Sequence, residues 1–248
     1  MQLNSPHYAG CLAVLKHSPL FSQVSDDLLQ DMLQIFHYET KHKGDIAISP
    51  KEVINHLYIV INGRAKVSVY NPDNGREHIL FLLEPGDGFD LISFLDGQWQ
   101  EAVATALVDL EVIYTTVQQA REWINQHPEF NRAFLPYLGQ QIHSLANQVT
   151  DLSLYDTETR LARLILHNLS PDKSPQEVRL INDLSQETLA SMIGSVRIVV
   201  TRHLQSWKNK KVISGKRGNW SVLDLESLLG KADYLLNTFQ RKSGRLNK

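Results

Sequence analysis

The feature that most constrains the fold of this chain is a pattern of three residues near its C-terminal end. Ala190 is followed four residues later by Gly194 and six residues after that by Val200. Two helices that cross closely need a small residue at the crossing, a turn residue that accepts a left-handed backbone, and an apolar residue facing inward. This spacing is that of a helix-turn-helix, which we predict from about Gln186 to Asn209.

Polar residues flank the two predicted helices and are suited to cap them. Ser185 can accept hydrogen bonds from the free N–H groups at the start of the first helix, and Ser195 can do the same for the second. Val200 and Leu204 are expected to face inward and to fix the crossing angle. The opposite face then presents the residues that we predict to contact DNA: Ser195, Val196, Arg197, Ile198, Thr201, Arg202, Gln205 and Lys208.

The chemistry of this outward face suits the major groove of DNA. An arginine such as Arg197 or Arg202 can donate two hydrogen bonds to O6 and N7 of guanine, and Ile198 can pack against thymine methyl groups. Further along the chain, two short β-like runs flank a basic, glycine-rich tip, which predicts a hairpin, or wing. Lys216 and Arg217 at this tip are predicted phosphate contacts.

The distribution of charge favours contact with a polyanion. The net charge of the 248 residues is only −2. Residues 1–150 contain 9 Lys and Arg against 17 Asp and Glu, a net of −8, whereas residues 151–248 contain 16 against 10, a net of +6. Between Ser191 and Gly218 there are seven basic residues and no acidic one. The alternative is a basic surface that faces only solvent. The positive charge therefore indicates DNA binding only in combination with the helix-turn-helix.

Composition sets the chain apart from several other classes of protein. The 42% hydrophobic and 21% charged content is that of a globular protein with a core. No apolar run reaches the roughly 18 residues of a membrane span, and the N-terminal residues lack the pattern of a signal peptide. Cys11 is the only cysteine, which excludes a disulfide and an all-cysteine metal or iron–sulfur site within one chain. These features predict a cytoplasmic protein.

The middle of the N-terminal part has the pattern of antiparallel β structure. From about Tyr38 to Thr116, β-rich runs such as Leu57–Ile61 and Ala65–Tyr70 alternate with turn signals. Asn-Gly at positions 62 and 63 separates these two runs. It predicts a tight hairpin in which both turn residues have a positive φ angle. The regular spacing predicts a compact antiparallel barrel or roll.

Helical periodicity flanks the β-rich region on both sides. Apolar residues at helical spacing predict a short helix over Asp26–Phe36. Beyond Val117, apolar residues separated by steps of three and four form a seam: Leu135, Leu138, Ile142, Leu145, Val149 and Leu152. Such a seam predicts a dimerisation helix that packs against a second copy of itself, with packing onto its own domain as the alternative. A hinge and a new helix are expected at Asp156–Thr159.

These segments together resemble the CRP/FNR family, the cyclic-AMP receptor protein and its relatives, over almost the whole chain. The resemblance lies in Tyr58–Val67 (an early β-roll hairpin), Gly75–Leu80 and Pro85–Phe89 (later glycine landmarks), Arg160–Leu166 (after the hinge), Leu189–Leu204 (the helix-turn-helix) and Leu223–Leu228 (after the wing). It implies an α+β protein with an N-terminal antiparallel β-roll of the cyclic-nucleotide-binding type, a long dimerisation helix and a C-terminal winged helix-turn-helix. The corresponding domains are residues 1–128, 129–156 and 157–248.

The resemblance also implies a homodimer that binds near-palindromic double-stranded DNA and recruits or blocks RNA polymerase.

The sequence departs from the family at the effector pocket. Members that bind cyclic AMP have a glutamate in a short helix after the Gly-Asp turn and, further on, an Arg-Ser pair that holds the cyclic phosphate. Here Leu91 is at about the glutamate position, and Gln100 and Glu101 replace the pair. A carboxylate repels a phosphate, so we expect no productive binding of cyclic AMP.

The segment that would line this pocket is apolar. Its candidate effector residues are Phe89, Leu91, Ile92, Gln100 and Glu101. They indicate either an apolar ligand or a filled core, and the sequence leaves this open.

A second departure from the family concerns DNA recognition. The family's common pattern is Arg-Glu-x-x-x-Arg, in which the glutamate contacts cytosine. Ile198 replaces that glutamate, which predicts a changed base preference at one position of the half-site.

Three alternative functions make different demands on the sequence. A haem-based gas sensor of the same family would hold haem through side chains that include histidine, and the sensor half contains His17, His37, His42, His56 and His78. A metal-dependent β-roll enzyme would need clustered histidines, and no His-x-His pair or nucleophile motif is present. A β-roll dimerisation module could act on a protein partner instead of DNA. We expect a DNA-binding regulator that is not an enzyme and has no metal or cofactor.

Overall fold

The computed structural model of the chain describes residues 1–49, 52, 55–89, 91–98, 101–169, 176–178, 181–215 and 220–232. The chain divides into two compact units, Met1–Leu145 and Ala146–Lys248. This boundary falls inside the long helix that bears the seam. The three-part division at residues 128 and 156 therefore stays a prediction.

The first unit combines helices with eight short strands over its described part. Its helices are α1 (Tyr8–His17), α2 (Asp26–Gln34), α3 (Leu91–Asp96), α4 (Val117–Gln126) and the start of α5 (Asn131–Leu154). Its strands are β1 (His37–Lys41), β2 (Ile46–Ile48), β3 (His56–Asn62), β4 (Ala65–Tyr70), β5 (Glu77–Leu83), β6 (Gly88–Phe89), β7 (Val103–Ala106) and β8 (Leu110–Thr116). The helix predicted over 26–36 is confirmed as α2. The sequence pattern missed α1, whose apolar residues also occupy outward positions.

The strands form two antiparallel four-stranded sheets, as expected for a β-roll. One has the order β1-β8-β3-β6 and the other β2-β7-β4-β5. Strand β3 is buried on both faces because its alternate residues enter two different clusters. Ile59 joins the helices in one apolar cluster, whereas Tyr58 and Val60 pack inside the roll with Val67 and Val112. Long apolar runs are typical of strands covered on both sides.

The tight hairpin predicted at Asn62 and Gly63 is wrong. Strands β3 and β4 belong to different sheets, and among the described non-glycine residues only Lys211 has a positive φ angle. Gly63, with φ +88°, lets the chain pass from one sheet to the other. A Cβ atom at Gly63 would lie 2.3 Å from the carbonyl oxygen of Asp109. The glycine is thus required by a close approach of two backbones, which a local turn rule does not detect.

The second unit contains the end of α5 and a small three-stranded sheet among helices. Its further elements are α6 (Thr157–His167), β9 (Gln176–Glu177), α7 (Gln186–Met192), α8 (Arg197–Asn209), β10 (Ile213–Ser214), β11 (Ser221–Val222) and α9 (Leu225–Lys231). Strand order is β10-β11-β9. The helix start predicted at Asp156–Thr159 is confirmed, because Asp156 caps α6 by accepting a hydrogen bond from the N–H of Thr159 at 2.8 Å. The hinge at this point stays a prediction. The predicted wing is confirmed as the β10–β11 hairpin.

Candidate nucleic-acid interface

The turn between α7 and α8 is set by backbone hydrogen bonds around a left-handed glycine. The Ser185 hydroxyl accepts from the N–H of Thr188 at 3.0 Å and caps α7, as predicted. Gly194 has φ +62°, and the N–H of Ser195 donates to the carbonyl of Ala190 at 2.8 Å. This six-to-one bond is the Schellman motif, which satisfies a free carbonyl at the end of a helix.

The prediction that Ser195 caps the second helix is wrong. The residue at the N-cap of α8 is Val196, and no side chain caps this helix end. Ser195 still belongs to the end of α7, which it closes through its backbone N–H, so it lies one position before the N-cap of α8. The chain then needs one more extended residue before α8 can start, and Val196 provides it at φ −123° and ψ 151°.

The inner face of α8 locks it against α7 and the rest of the second unit. Ala190 is buried at the crossing, and Val200 and Leu204 are buried as predicted. One turn further, Trp207 is fully buried and donates its indole N–H to Glu158 Oε1 at 2.7 Å. Because these contacts immobilise the helix, the side chains on its other face have a defined direction.

Eight of the predicted contact residues lie on α8 or in the two residues before it, and the structure brings six of them onto one exposed face. Ile198 is 76% exposed and Val196 is 51% exposed. Four polar residues are exposed beside them: Arg197, Thr201, Arg202 and Gln205. Ser195 is half-buried. An isoleucine with three quarters of its surface in solvent is costly unless something apolar covers it.

Lys208 differs from the other predicted contacts. It is half-buried, and its ammonium group lies 4.5 Å from the centre of the Trp220 ring, beside strand β11. Such a cation–π contact holds the lysine against the wing. The predicted phosphate contacts Lys216 and Arg217, at the tip of the wing, lie outside the described residues.

Two residues of this surface were missed by the sequence analysis. The Thr201 hydroxyl lies within hydrogen-bonding distance of the Gln186 side-chain oxygen. This places the first residue of α7 at the edge of the same face. At the other end, Gln205 donates to the side chain of Asn209 at 3.0 Å. The sequence did contain a signal for Gln186: it is a polar residue at the first position of α7, the helix that precedes α8.

Within the second unit, the C-terminal turns of α5 contact α6 through an ion pair and a cation–π contact. Arg163 of α6 forms an ion pair with Asp151 at 2.5 Å, and its guanidinium lies 3.8 Å from the Tyr155 ring centre. Its Nε also donates to the carbonyl of Ala232 at 3.0 Å. Both side chains of the ion pair are largely buried, so solvent and salt screen it less than a surface pair.

Glu158 at the start of α6 joins three helices. It accepts hydrogen bonds from Trp207 of α8 at 2.7 Å and from Lys231 of α9 at 2.8 Å. The hydrogen bond from Lys231, and after it that from Trp207, holds the pKa of Glu158 below its ordinary value. Helix α8 is therefore anchored to α6 through its buried tryptophan.

The seam of α5 is apolar and mostly exposed in the single chain. Leu135, Ile142 and Val149, spaced seven residues apart, are 61%, 61% and 63% exposed. Leu138 and Leu145 are half-buried. Leu152 is 39% exposed, and its Cδ2 would lie 2.6 Å from a Cβ atom at Gly194. The last seam residue thus also packs on the turn of the helix-turn-helix.

The predicted effector residues separate into two groups. Phe89 and Leu91 are buried and line a cavity of about 60 Å³ inside the first unit. Ile92 is 38% exposed and Glu101 is exposed, whereas Gln100 lies outside the described residues. No lysine or arginine occurs between Arg76 and Arg121 in the sequence.

The five histidines named above as possible haem ligands are absent from the described lining of this cavity. His17, His37 and His42 are exposed, and His56 and His78 are half-buried. Over the described ranges no group of three or more His, Cys, Asp or Glu side chains is placed to hold a metal ion. In the same part of the chain no helix is both long and apolar enough to cross a membrane.

Comparison with known proteins agrees with this architecture. Family models match the chain in two places: the cyclic nucleotide-binding domain over residues 39–127 and the Crp-like helix-turn-helix domain over residues 159–230. Fold and interface together define a transcription regulator with a helix-turn-helix DNA-binding domain. The chain belongs to the CRP/FNR family, which confirms the resemblance of its sequence motifs.

Individual relatives are distant but cover most of the chain. The CRP-like cAMP-activated global transcriptional regulator of Mycobacterium tuberculosis is 28% identical over 193 residues, 77% of this chain and 85% of the relative. The global nitrogen regulator of Synechocystis sp. is 24% identical over 200 residues, 79% of this chain and 86% of the relative. A solved structure of a CooA mutant from Carboxydothermus hydrogenoformans matches with a TM-score of 0.70 at 22% identity, covering 82% of this chain and 90% of that chain.

Proposed function

We propose that this protein is a homodimeric, sequence-specific DNA-binding regulator that does not respond to cyclic AMP. The observation that supports sequence-specific binding is the exposed face of α8. It presents Arg197 and Arg202 beside the 76% exposed Ile198, on a helix held rigid by its buried opposite face. Guanidinium groups bind guanine edges and an apolar side chain covers thymine methyl groups, so this set of side chains has the chemistry of base recognition.

The first experiment selects bound fragments from genomic DNA and then measures affinity for the selected operator and for a scrambled duplex. Arg202→Ala is expected to weaken operator binding by about 5- to 150-fold, or about 1–3 kcal/mol, while the scrambled duplex loses much less. Lys210→Ala is the matched control, because Lys210 is an exposed cation just beyond α8. It should change both affinities equally. An equal loss on both duplexes for Arg202→Ala would contradict base recognition.

The exposed seam supports the homodimer. Leu135, Ile142 and Val149 form an apolar stripe along α5 that is more than 60% exposed in one chain. A second α5 packed against the stripe would remove it from water, and dimers of this kind bind two half-sites one helical turn apart. Ile142→Lys is expected to produce monomers in sedimentation equilibrium and to abolish tight operator binding. Asn147→Lys, at an exposed position off the seam, should leave the dimer intact. A dimeric Ile142→Lys protein would exclude this seam.

We propose that the protein does not respond to cyclic AMP because the pocket segment contains no positively charged side chain. Neither lysine nor arginine is present between positions 76 and 121, so the pocket segment offers no cation for a cyclic phosphate, and an unpaired buried anion is strongly unfavourable. A relative is named as cAMP-activated, and the absent cation distinguishes this chain from any protein that binds a cyclic phosphate through arginine or lysine. Calorimetry with cyclic AMP should give no heat of binding. A micromolar dissociation constant would refute this part.

The remaining parts of the proposal follow from the same role. The regulator acts on the bacterial chromosome and therefore in the cytoplasm, and RNA polymerase is the expected second partner. Regulation by DNA binding needs no catalytic step, so we propose that the protein is not an enzyme. Whether it activates or represses a given promoter depends on where its operator lies.

A further inference from the structure

One side-chain contact joins the two helices of the helix-turn-helix at the edge of the exposed face. The Thr201 hydroxyl of α8 lies within hydrogen-bonding distance of the side-chain oxygen of Gln186, the first residue of α7. The same hydroxyl lies 2.8 Å from the carbonyl oxygen of Arg197, one turn earlier in α8. Thr201 is exposed and Gln186 is half-buried. The hydroxyl of an exposed threonine is therefore held by two groups of the protein itself.

These two contacts determine what the Thr201 hydroxyl can offer to DNA. A hydroxyl carries one hydrogen, and both neighbours of this hydroxyl are acceptor oxygens. Whichever of them accepts the hydrogen, none is left to donate to a base. The hydroxyl is thus turned toward its own helix and toward α7, and the γ-methyl group is the branch of the side chain that is left to face outward.

The branch that faces outward decides which base edge Thr201 can recognise. A free threonine hydroxyl can pair with several base edges, whereas a methyl group contacts the C5-methyl group of thymine. We propose that Thr201 recognises thymine through its methyl group, and that Gln186 is the positioning residue that fixes this orientation. Ile198 lies three residues earlier on the same side of α8 and offers a second apolar contact. The inference rests on the proposed sequence-specific binding of DNA.

The test removes single methyl groups from the operator selected with the full-length protein. Each thymine of one half-site is replaced in turn by deoxyuridine, which lacks only the C5-methyl group. At one position the wild-type protein should bind the deoxyuridine operator about fourfold more weakly, as expected for the loss of one buried methyl group. This penalty should remain in Ile198→Ala, which distinguishes the position from any thymine that Ile198 contacts.

Two variants of Thr201 separate its methyl group from its hydroxyl. Thr201→Ser keeps the hydroxyl and loses the methyl group, so it should abolish the deoxyuridine penalty at this position. Thr201→Val keeps the methyl group and loses the hydroxyl, so it should retain both the operator affinity and the penalty. The penalty is a ratio of two affinities of the same protein sample, so it does not depend on the fraction of folded protein.

The opposite behaviour of the two variants would overturn the inference. If Thr201→Val loses the penalty and Thr201→Ser keeps it, the hydroxyl and not the methyl group contacts the base. The inference is equally wrong if no deoxyuridine penalty in the half-site depends on residue 201.

A further pair of variants tests the positioning role of Gln186. Gln186→Ala removes one of the two groups that hold the hydroxyl, so Thr201 can adopt its other helical rotamer and the penalty should fall below about twofold. In the Thr201→Val background there is no hydroxyl to release, so Gln186→Ala should leave the penalty unchanged. Glu187→Gln, at the exposed next position of α7, is the control and should leave the penalty unchanged in both backgrounds. A full penalty in Gln186→Ala, or an equal fall in both backgrounds, would refute the positioning role.

The failure of this inference can be distinguished from the failure of the proposed function. Operator binding that depends on Arg202 but shows no methyl-dependent contact at Thr201 would refute the inference alone. Equal losses on the operator and the scrambled duplex for Arg202→Ala would refute the proposed function, and the inference with it.

Discussion

Replacement of Gly194 by alanine tests the geometry of the turn that positions the recognition helix. Gly194 has φ +62°, where a residue with a Cβ atom is less stable than in the right-handed region by about 1–2 kcal/mol. The new Cβ atom would also lie 2.6 Å from Cδ2 of Leu152. Because Cδ2 is the end of a flexible side chain, relief of this overlap costs about 1 kcal/mol, the low end of the range for overpacking. We expect Gly194→Ala to lower the free energy of unfolding by about 2–3 kcal/mol.

A double-mutant cycle separates the two contributions. Leu152→Ala removes the clash but leaves the backbone strain, so Gly194→Ala should cost only about 1–2 kcal/mol in the Leu152→Ala background. The assay is urea unfolding followed by circular dichroism, at one protein concentration for all variants because Leu152 lies in the seam. Gly230→Ala is the control. Gly230 lies in α9 with nothing within 4 Å of its Cβ position, so this change should stabilise the protein by up to about 1 kcal/mol.

Two results would refute this reasoning, and each identifies a different error. If Gly194→Ala costs the same with and without the Leu152 side chain, the end of α5 does not pack on the turn. If it costs less than about 0.5 kcal/mol in both backgrounds, the backbone at residue 194 is not left-handed. The operator affinity of Gly194→Ala is expected to fall as well, because a displaced turn changes the direction of α8.

Other positions provide independent tests of the fold. Gly63→Ala would place a Cβ atom 2.3 Å from the backbone oxygen of Asp109; backbone cannot move aside as a side chain can, so the expected cost is about 3–4 kcal/mol in urea unfolding, and a neutral substitution would contradict the crossing between sheets. Asp156→Ala removes the N-cap of α6 and should cost about 1 kcal/mol, with Asp156→Asn close to wild type. Glu158 has a pKa held below its ordinary value of 4.5 mainly by Lys231, so its contribution to stability is complete above that pH and is lost as the pH falls through the lowered value. Glu158→Gln should therefore reduce stability fully at about pH 7, and the reduction should shrink progressively as the pH is lowered below the ordinary pKa of about 4.5; a reduction independent of pH would contradict the role of its charge.

The helix-turn-helix was predictable because its determinants are local. A small residue, a glycine and an apolar residue at fixed spacing specify the crossing of α7 and α8, and the polar face of α8 follows from helical periodicity. The strands β3, β4 and β5 were predictable for the same reason. The cap of α8 was not, since Ser195 has the right side chain for an N-cap but its backbone N–H is used to close α7.

The exposed seam, the basic face and the family were thus determined by the sequence alone, because period, spacing and charge are properties of neighbouring residues. Only the tertiary structure decided which strand pairs with which. Asn62 and Gly63 have a hairpin sequence, but the approach of Asp109, distant in the chain, makes them a crossing between sheets. Leu138 and Leu152 likewise occupy equivalent positions in the seam pattern but make different contacts in the fold. Leu138 lines the apolar cavity, whereas Leu152 packs on the turn at Gly194. Such contacts join residues far apart in sequence, and no local pattern records them.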